Sequence, residues 1–110
     1  MEYYVYVLRC HGDVLYTGIT SDLAKRMREH VLALPTGAKF TRAHMPEAIV
    51  GLWTTENKSL ALKLEYRIKS LKRSEKLELL AAPEKVDEIF PEGVVPCKLP
   101  LLESIIEDGK

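Results

Sequence analysis

The sequence predicts a small α/β (α+β) sandwich, helices packed on a three-stranded sheet, in the order β-β-α-β-α-α. Three observations carry this. Two β-branched and aromatic runs open the chain with a turn between them. Two later segments repeat apolar residues at helical spacing. A third strand-like run lies between those helices. The 110 residues make one domain of ordinary size, large enough for a single core.

The first strand is EYYVYVL at residues 2–8, rich in residues that suit a pleated surface. His11-Gly12-Asp13 reads as a turn, and VLYTGI at 14–19 as the second strand of a hairpin. Gly18 inside that strand marks a bulge or a place where another backbone comes close. Thr20-Ser21-Asp22 offers N-cap side chains to the helix DLAKRMREHVL, whose apolar stripe is Leu23, Met27 and Val31. Residues 33–47 carry Pro35, Gly37 and Pro46 and read as a long loop. AIVGLW at 48–53 is the third strand. Asn57 or Ser59 caps a second helix running to about Leu71, with Leu60, Ala61, Leu64, Ile68 and Leu71 as its stripe. A shorter helix runs from Ser74 through Leu80. Beyond Pro83 the chain is interrupted by prolines, with one short helical piece at 84–90.

The net charge is zero, but it is unevenly placed. Residues 1–80 hold 13 Lys+Arg against 9 Asp+Glu, and residues 81–110 hold 3 against 7. The expected organisation is a basic domain at 1–80 followed by an acidic C-terminal extension at 81–110. Such a body permits a polyanionic partner without requiring one. No apolar run approaches the length of a membrane span, and no secretory leader is expected. Cys10 and Cys97 lie far apart and form no C-x-x-C pair, which fits a reducing, cytoplasmic setting.

Six side chains stand out for chemistry. Tyr4 and Tyr6 share one strand face, and Tyr16 lies on the next strand. Tyrosine fills half-buried strand positions well, so packing alone accounts for any of them. The chemical reading is two phenols pointing at one spot beside the hairpin, each a poor base unless a cation lowers its pKa. Arg26 and His30 are four apart and share a helix face. They are either a solvated basic edge or an anion clamp, a guanidinium gripping two oxygens beside an imidazole that moves a proton. Glu65 projects just off the second apolar stripe, among Lys58, Lys69 and Lys72. It is either an i,i+4 ion pair with Lys69 or a carboxylate holding a hard cation.

The order and spacing of these residues carry more than each alone. Tyr-Val-Tyr at 4–6 is followed by Tyr-Thr-Gly at 16–18. Tyr6, Tyr16 and Arg26 are each ten apart, His30 is four further, and Glu65 stands on the next long helix. The segments LYTGITSDLAKRMREH, GAKFTRAHMP and SLALKLEYRIKSLKRSEKLEL complete the pattern. On these residues the chain resembles the GIY-YIG nuclease superfamily over residues 2 to about 80. It is most similar to the stand-alone, single-domain bacterial members. Tyr4 stands where the first tripeptide has Gly, Thr17 where the second has Ile, and Leu77 where many members have Asn.

The resemblance implies a GIY-YIG-type sandwich with a mainly antiparallel three-stranded sheet and a nuclease-like domain at 1–80. It implies Tyr6 as general base, Tyr16 in the active site, Arg26 stabilising the transition state, His30 assisting base or phosphate, and Glu65 as the single ligand of Mg²⁺ or Mn²⁺. Lys39, Arg42, Lys69 and Lys72 are the expected phosphate contacts, which position a strand without reading its sequence. The implied activity is a metal-dependent endonuclease acting on DNA more than RNA, directed by nucleic-acid structure or by a protein partner, in repair or processing. The competing reading is a non-catalytic nucleic-acid-binding or adaptor module that keeps the fold.

Overall fold

The computed structural model describes residues 2–32, 37–90 and 93–108. Residues 33–36 of the expected loop, and 91–92 and 109–110 of the acidic extension, lie outside the described residues. Strands β1 (Tyr3–Cys10) and β2 (Val14–Thr20) form the expected antiparallel hairpin. Its turn is left-handed at Gly12 (φ 86°) and Asp13 (φ 58°). Glycine reaches that region freely and aspartate tolerates it, which suits the Gly-Asp pair there. Helix α1 (Leu23–Val31) starts where the Asp22 side chain accepts from the Lys25 backbone N–H at 3.2 Å. Strand β3 (Pro46–Thr55) is longer at both ends than the expected 48–53 and pairs antiparallel with β1. Helix α3 (Lys58–Ser70) is capped by Asn57, which accepts from Leu60 N–H at 2.9 Å, and α4 is Arg73–Ala81.

Three features depart from the expected order. A five-residue helix, α2 (Lys39–Ala43), lies in the segment expected to be loop. The sheet has four strands in the order β2-β1-β3-β4, because β4 (Val94–Pro96) pairs antiparallel with Trp53–Thr55 of β3. Three residues ending in proline give too little local signal for a strand, and proline is tolerated on the edge that β4 forms. After a 3₁₀ turn (Pro83–Lys85) come α5 (Val86–Ile89) and, near the C-terminus, α6 (Leu102–Asp108).

Strand β1 is central and buried on both faces, so its alternation sorts the core into two layers. Val5 and Val7 face one cluster with Trp53, Ala61, Leu64, Ile68 and Leu79. Tyr6, Leu8 and Cys10 face the other with Leu23, Met27, Ile49 and Leu52. The acidic segment enters both layers. Val86 and Val94 are buried in the first, and Leu102, Ile105 and Ile106 pack on the second, where α6 lies against α1.

Candidate active site

Tyr6 is the largest fully buried polar side chain of the α1 layer and is 1% exposed. Central placement in β1 buries it, and a neighbouring gap lets it fit. Its cross-strand partner on β2 is Gly18. A Cβ at Gly18 would lie 2.6 Å from Tyr6 Cζ and closer still to the phenol oxygen. Gly18 is therefore a site of close approach, but by the Tyr6 ring, and not the bulge or second backbone that a glycine in a strand suggests. Tyr16, half-buried on β2, sets its ring centroid 6.4 Å from that of Tyr6.

Helix α1 brings His30 and Arg26 to the same place. The buried face of α1 is Leu23, Met27 and His30, while Val31 is only half-buried. His30 thus takes the inward position that the Leu23-Met27-Val31 stripe reserves for Val31, and it is not part of a solvated edge. Full burial of an imidazole requires partners for both nitrogens. Nε2 lies 2.8 Å from the Tyr6 phenol oxygen and Nδ1 lies 2.7 Å from Thr41 Oγ1 on α2. Thr41, itself fully buried, donates to the Ala38 carbonyl at 2.9 Å. Arg26 is partly buried, bonds Glu29 at 3.2 Å, and acts on the Tyr6 phenol.

The electrostatics follow from this burial. Burial pushes the Tyr6 phenol well above its ordinary value of 10.0. The hydrogen bond and charge of Arg26 pull it back down, and Tyr16 and Glu65 push it further up. Arg26 is the positive group that a chemical role for the phenol calls for, but its pull is smaller than the push of burial. His30 is pushed from 6.5 down to about 4, first by burial and then by the Arg26 charge. The imidazole is therefore neutral near pH 7.

Glu65 reaches this cluster from α3, close enough for its charge to act on Tyr6. Its carboxylate is partly exposed and pairs with Lys69 at 3.3 Å. Among the described residues no three His, Cys, Asp or Glu side chains gather into a metal cage. Glu29 is engaged by Arg26, whereas the partner of Glu65 is a half-exposed lysine. One such carboxylate fits a hard cation that keeps most of its waters and shares substrate phosphates; it does not fit a dedicated protein site.

Of the expected backbone contacts, Lys39 and Arg42 stand exposed on α2, flanking Phe40 and Thr41. Phe40 stacks on Tyr16 with centroids 5.5 Å apart and rings 17° from parallel, which fixes α2 beside the phenols. Lys69 is held at Glu65. Lys72 is exposed at the start of α4, where its backbone N–H donates to Glu75 at 2.8 Å. Leu77 lines a groove with Arg9, Leu15 and Val50, on the face of the sheet opposite Tyr6. Thr41 and Glu29 are site residues that the sequence did not single out. No local pattern separates a buried threonine from its exposed neighbours in Lys-Phe-Thr-Arg.

The family model described as the GIY-YIG catalytic domain matches residues 2–78. The chain belongs to the GIY-YIG family. Its GIY-YIG domain places it in a nuclease superfamily, one whose members generally depend on divalent metal and act on nucleic acid. Similar proteins include a UPF0213 protein of Vibrio cholerae, 41% identical over 79% of this chain and 85% of that protein. A UPF0213 protein of Oceanobacillus iheyensis is 43% identical over 76% of this chain and 95% of that one. Among solved structures, the solution structure of a Bacillus halodurans UPF0213 protein is 36% identical, covers 78% of this chain and 93% of that one, and has a TM-score of 0.49. The GIY-YIG match spans β1 through most of α4, so it contains Tyr6, Tyr16, Arg26, His30, Thr41 and Glu65. No helix among the described residues is long and apolar enough to cross a membrane.

Proposed function

We propose that this protein is a divalent-metal-dependent endonuclease that hydrolyses phosphodiester bonds in DNA, with Tyr6, Tyr16, Arg26, His30 and Glu65 as its active site. The observation that carries this reading is the buried contact from the Tyr6 phenol to His30, with Arg26 acting on the same phenol. A buried polar chain that ends at a half-buried cationic rim is costly to build for packing alone. It suits a reaction that removes a proton from water next to an anion.

The raised pKa of Tyr6 decides how the proton moves. A free phenolate is not populated near pH 7. The water proton passes to the Tyr6 oxygen while the phenol's own proton passes to Nε2 of His30. The water's electron pair forms the new P–O bond, and the leaving oxygen departs with the old one. The phosphate dianion character that develops beside His30 favours the imidazolium that results. Arg26 meets charge developing on the non-bridging oxygens with a planar fork of donors. Glu65 would hold Mg²⁺ or Mn²⁺, which would supply charge neutralisation at the scissile phosphate and assistance to the leaving oxygen. Lys39, Arg42, Lys69 and Lys72 contact the strand backbone. In this reading the enzyme recognises nucleic-acid structure or is guided by a protein partner, in repair or processing within the cytoplasm.

The test is a panel of duplex, flap, branched and single-stranded DNA and RNA substrates with Mg²⁺, Mn²⁺ or chelator. Metal-dependent cleavage of DNA is expected, and it is expected to vanish in Glu65→Ala while far-UV circular dichroism stays unchanged. Cleavage by Glu65→Ala at the wild-type rate overturns the metal assignment. DNA binding with no cleavage of any substrate supports an adaptor module instead.

A further inference from the structure

We propose that Thr41 is a positioning residue that fixes the tautomer of His30, so that Nε2 is held bare as the acceptor of the Tyr6 proton. This rests on the nuclease reading only for its consequence in catalysis; the geometry stands by itself. Thr41 has one hydroxyl proton. Its Oγ1 lies 2.9 Å from the Ala38 carbonyl oxygen and 2.7 Å from His30 Nδ1. Two oxygens at that distance repel unless a proton lies between them, and a carbonyl has none to give. The hydroxyl proton therefore points to Ala38. The Ala38 oxygen has a second lone pair, which takes the Arg42 backbone N–H at 3.2 Å.

With its proton committed, the Thr41 oxygen can only accept from Nδ1–H. A neutral imidazole protonated at Nδ1 is bare at Nε2, so Nε2 accepts from the Tyr6 O–H at 2.8 Å. The other end of the chain agrees. Arg26 has donors and no acceptor, so it occupies a lone pair of the Tyr6 oxygen and leaves the phenol proton for His30. Every hydrogen bond from Tyr6 to Ala38 then runs in one direction. The α2 helix, short and expected as loop, acts in this site by carrying the residue that sets that direction. The reverse tautomer would place a proton on Nε2, facing Tyr6, and close the route along which Tyr6 hands its proton on.

The experiment is ¹⁵N NMR of the histidine rings at pH 7 in the full chain, with His30 assigned by loss of its signals in His30→Asn. His11 and His44, which lie outside the Tyr6–His30–Thr41 chain, serve as internal references. The wild type is expected to show a protonated Nδ1 and a bare Nε2 at His30. Thr41→Ser keeps the acceptor and is expected to keep that tautomer and wild-type turnover. Thr41→Val keeps the shape but leaves Nδ1–H without a partner. It is expected to reverse the tautomer and to lower turnover on the order of 10²-fold, with DNA affinity unchanged, as lost general-base assistance requires. A protonated Nε2 in the wild type or in Thr41→Ser overturns the proposal, whether or not Thr41→Val folds. So does a folded Thr41→Val that retains Nδ1–H. If the tautomers behave as expected but the wild type cuts no nucleic acid, the nuclease reading fails and the assignment of Thr41 holds.

Discussion

Replacing Gly18 with alanine puts a methyl carbon 2.6 Å from Cζ of Tyr6. Ordinary carbon contacts begin near about 3.5 Å, so the ring must retreat by about 1 Å. It has little room to do so. Tyr6 is 1% exposed, is bonded to His30 at 2.8 Å and lies beside Tyr16. Overfilling a packed site of this kind costs about 1–3 kcal/mol. At roughly 4 °C per kcal/mol for a domain of this size, Tm should fall by about 4–12 °C. The sign is diagnostic. In an open strand position the same change stabilises by roughly 0.5–1 kcal/mol, because alanine loses less freedom on folding. On the nuclease reading, a displacement of about 1 Å in the proton-accepting group also lowers turnover by about 10²-fold. Differential scanning calorimetry and a single-turnover cleavage assay measure the two effects separately. A Gly18→Ala protein that melts at or above the wild-type temperature and cuts at the wild-type rate would refute both the close approach and the role given to Tyr6.

Three further outcomes are expected. Arg26→Lys should lower turnover nearly as much as Arg26→Ala, because lysine keeps the charge and loses the fork; wild-type turnover in the lysine variant would reduce Arg26 to a general positive charge. Folding lowers the His30 pKa from 6.5 to about 4, so its neutral form contributes stability that is complete above pH 6.5 and is lost as pH falls towards 4. At about 1.4 kcal/mol per pH unit, the advantage of wild type over His30→Asn should shrink by roughly 3 kcal/mol across that interval in urea titrations, and an advantage unchanged with pH would mean that His30 is not buried neutral. Deleting residues 82–110 removes Val86 and Val94 from the core and β4 from the sheet edge. Two such side chains are worth about 1.5–3 kcal/mol each against a total stability of about 5–15 kcal/mol, so the truncated chain should melt at a much lower temperature or without cooperativity. An undiminished Tm would show that the acidic segment is dispensable to the fold.

The sequence by itself determined what depends on neighbours along the chain. The Gly-Asp turn, the Asp22 and Asn57 caps, and the stripe of α3 are local signals, and each element formed where those signals stood. The order Tyr6, Tyr16, Arg26, His30, Glu65 was legible for the same reason, since it is a matter of identity and spacing. Tertiary structure decided what depends on residues far apart. β4 exists because β3 offers it an unpaired edge, and α6 forms against α1. Val31 and His30 differ by about 100° around α1, and hydrophobicity favours burying Val31. His30 is buried instead because Tyr6, 24 residues away, and Thr41, 11 residues away, satisfy its two nitrogens. Gly18 becomes necessary only when the hairpin register sets it opposite Tyr6. A polar group enters a core when its partners are already there, and those partners are supplied by the fold rather than by adjacent sequence.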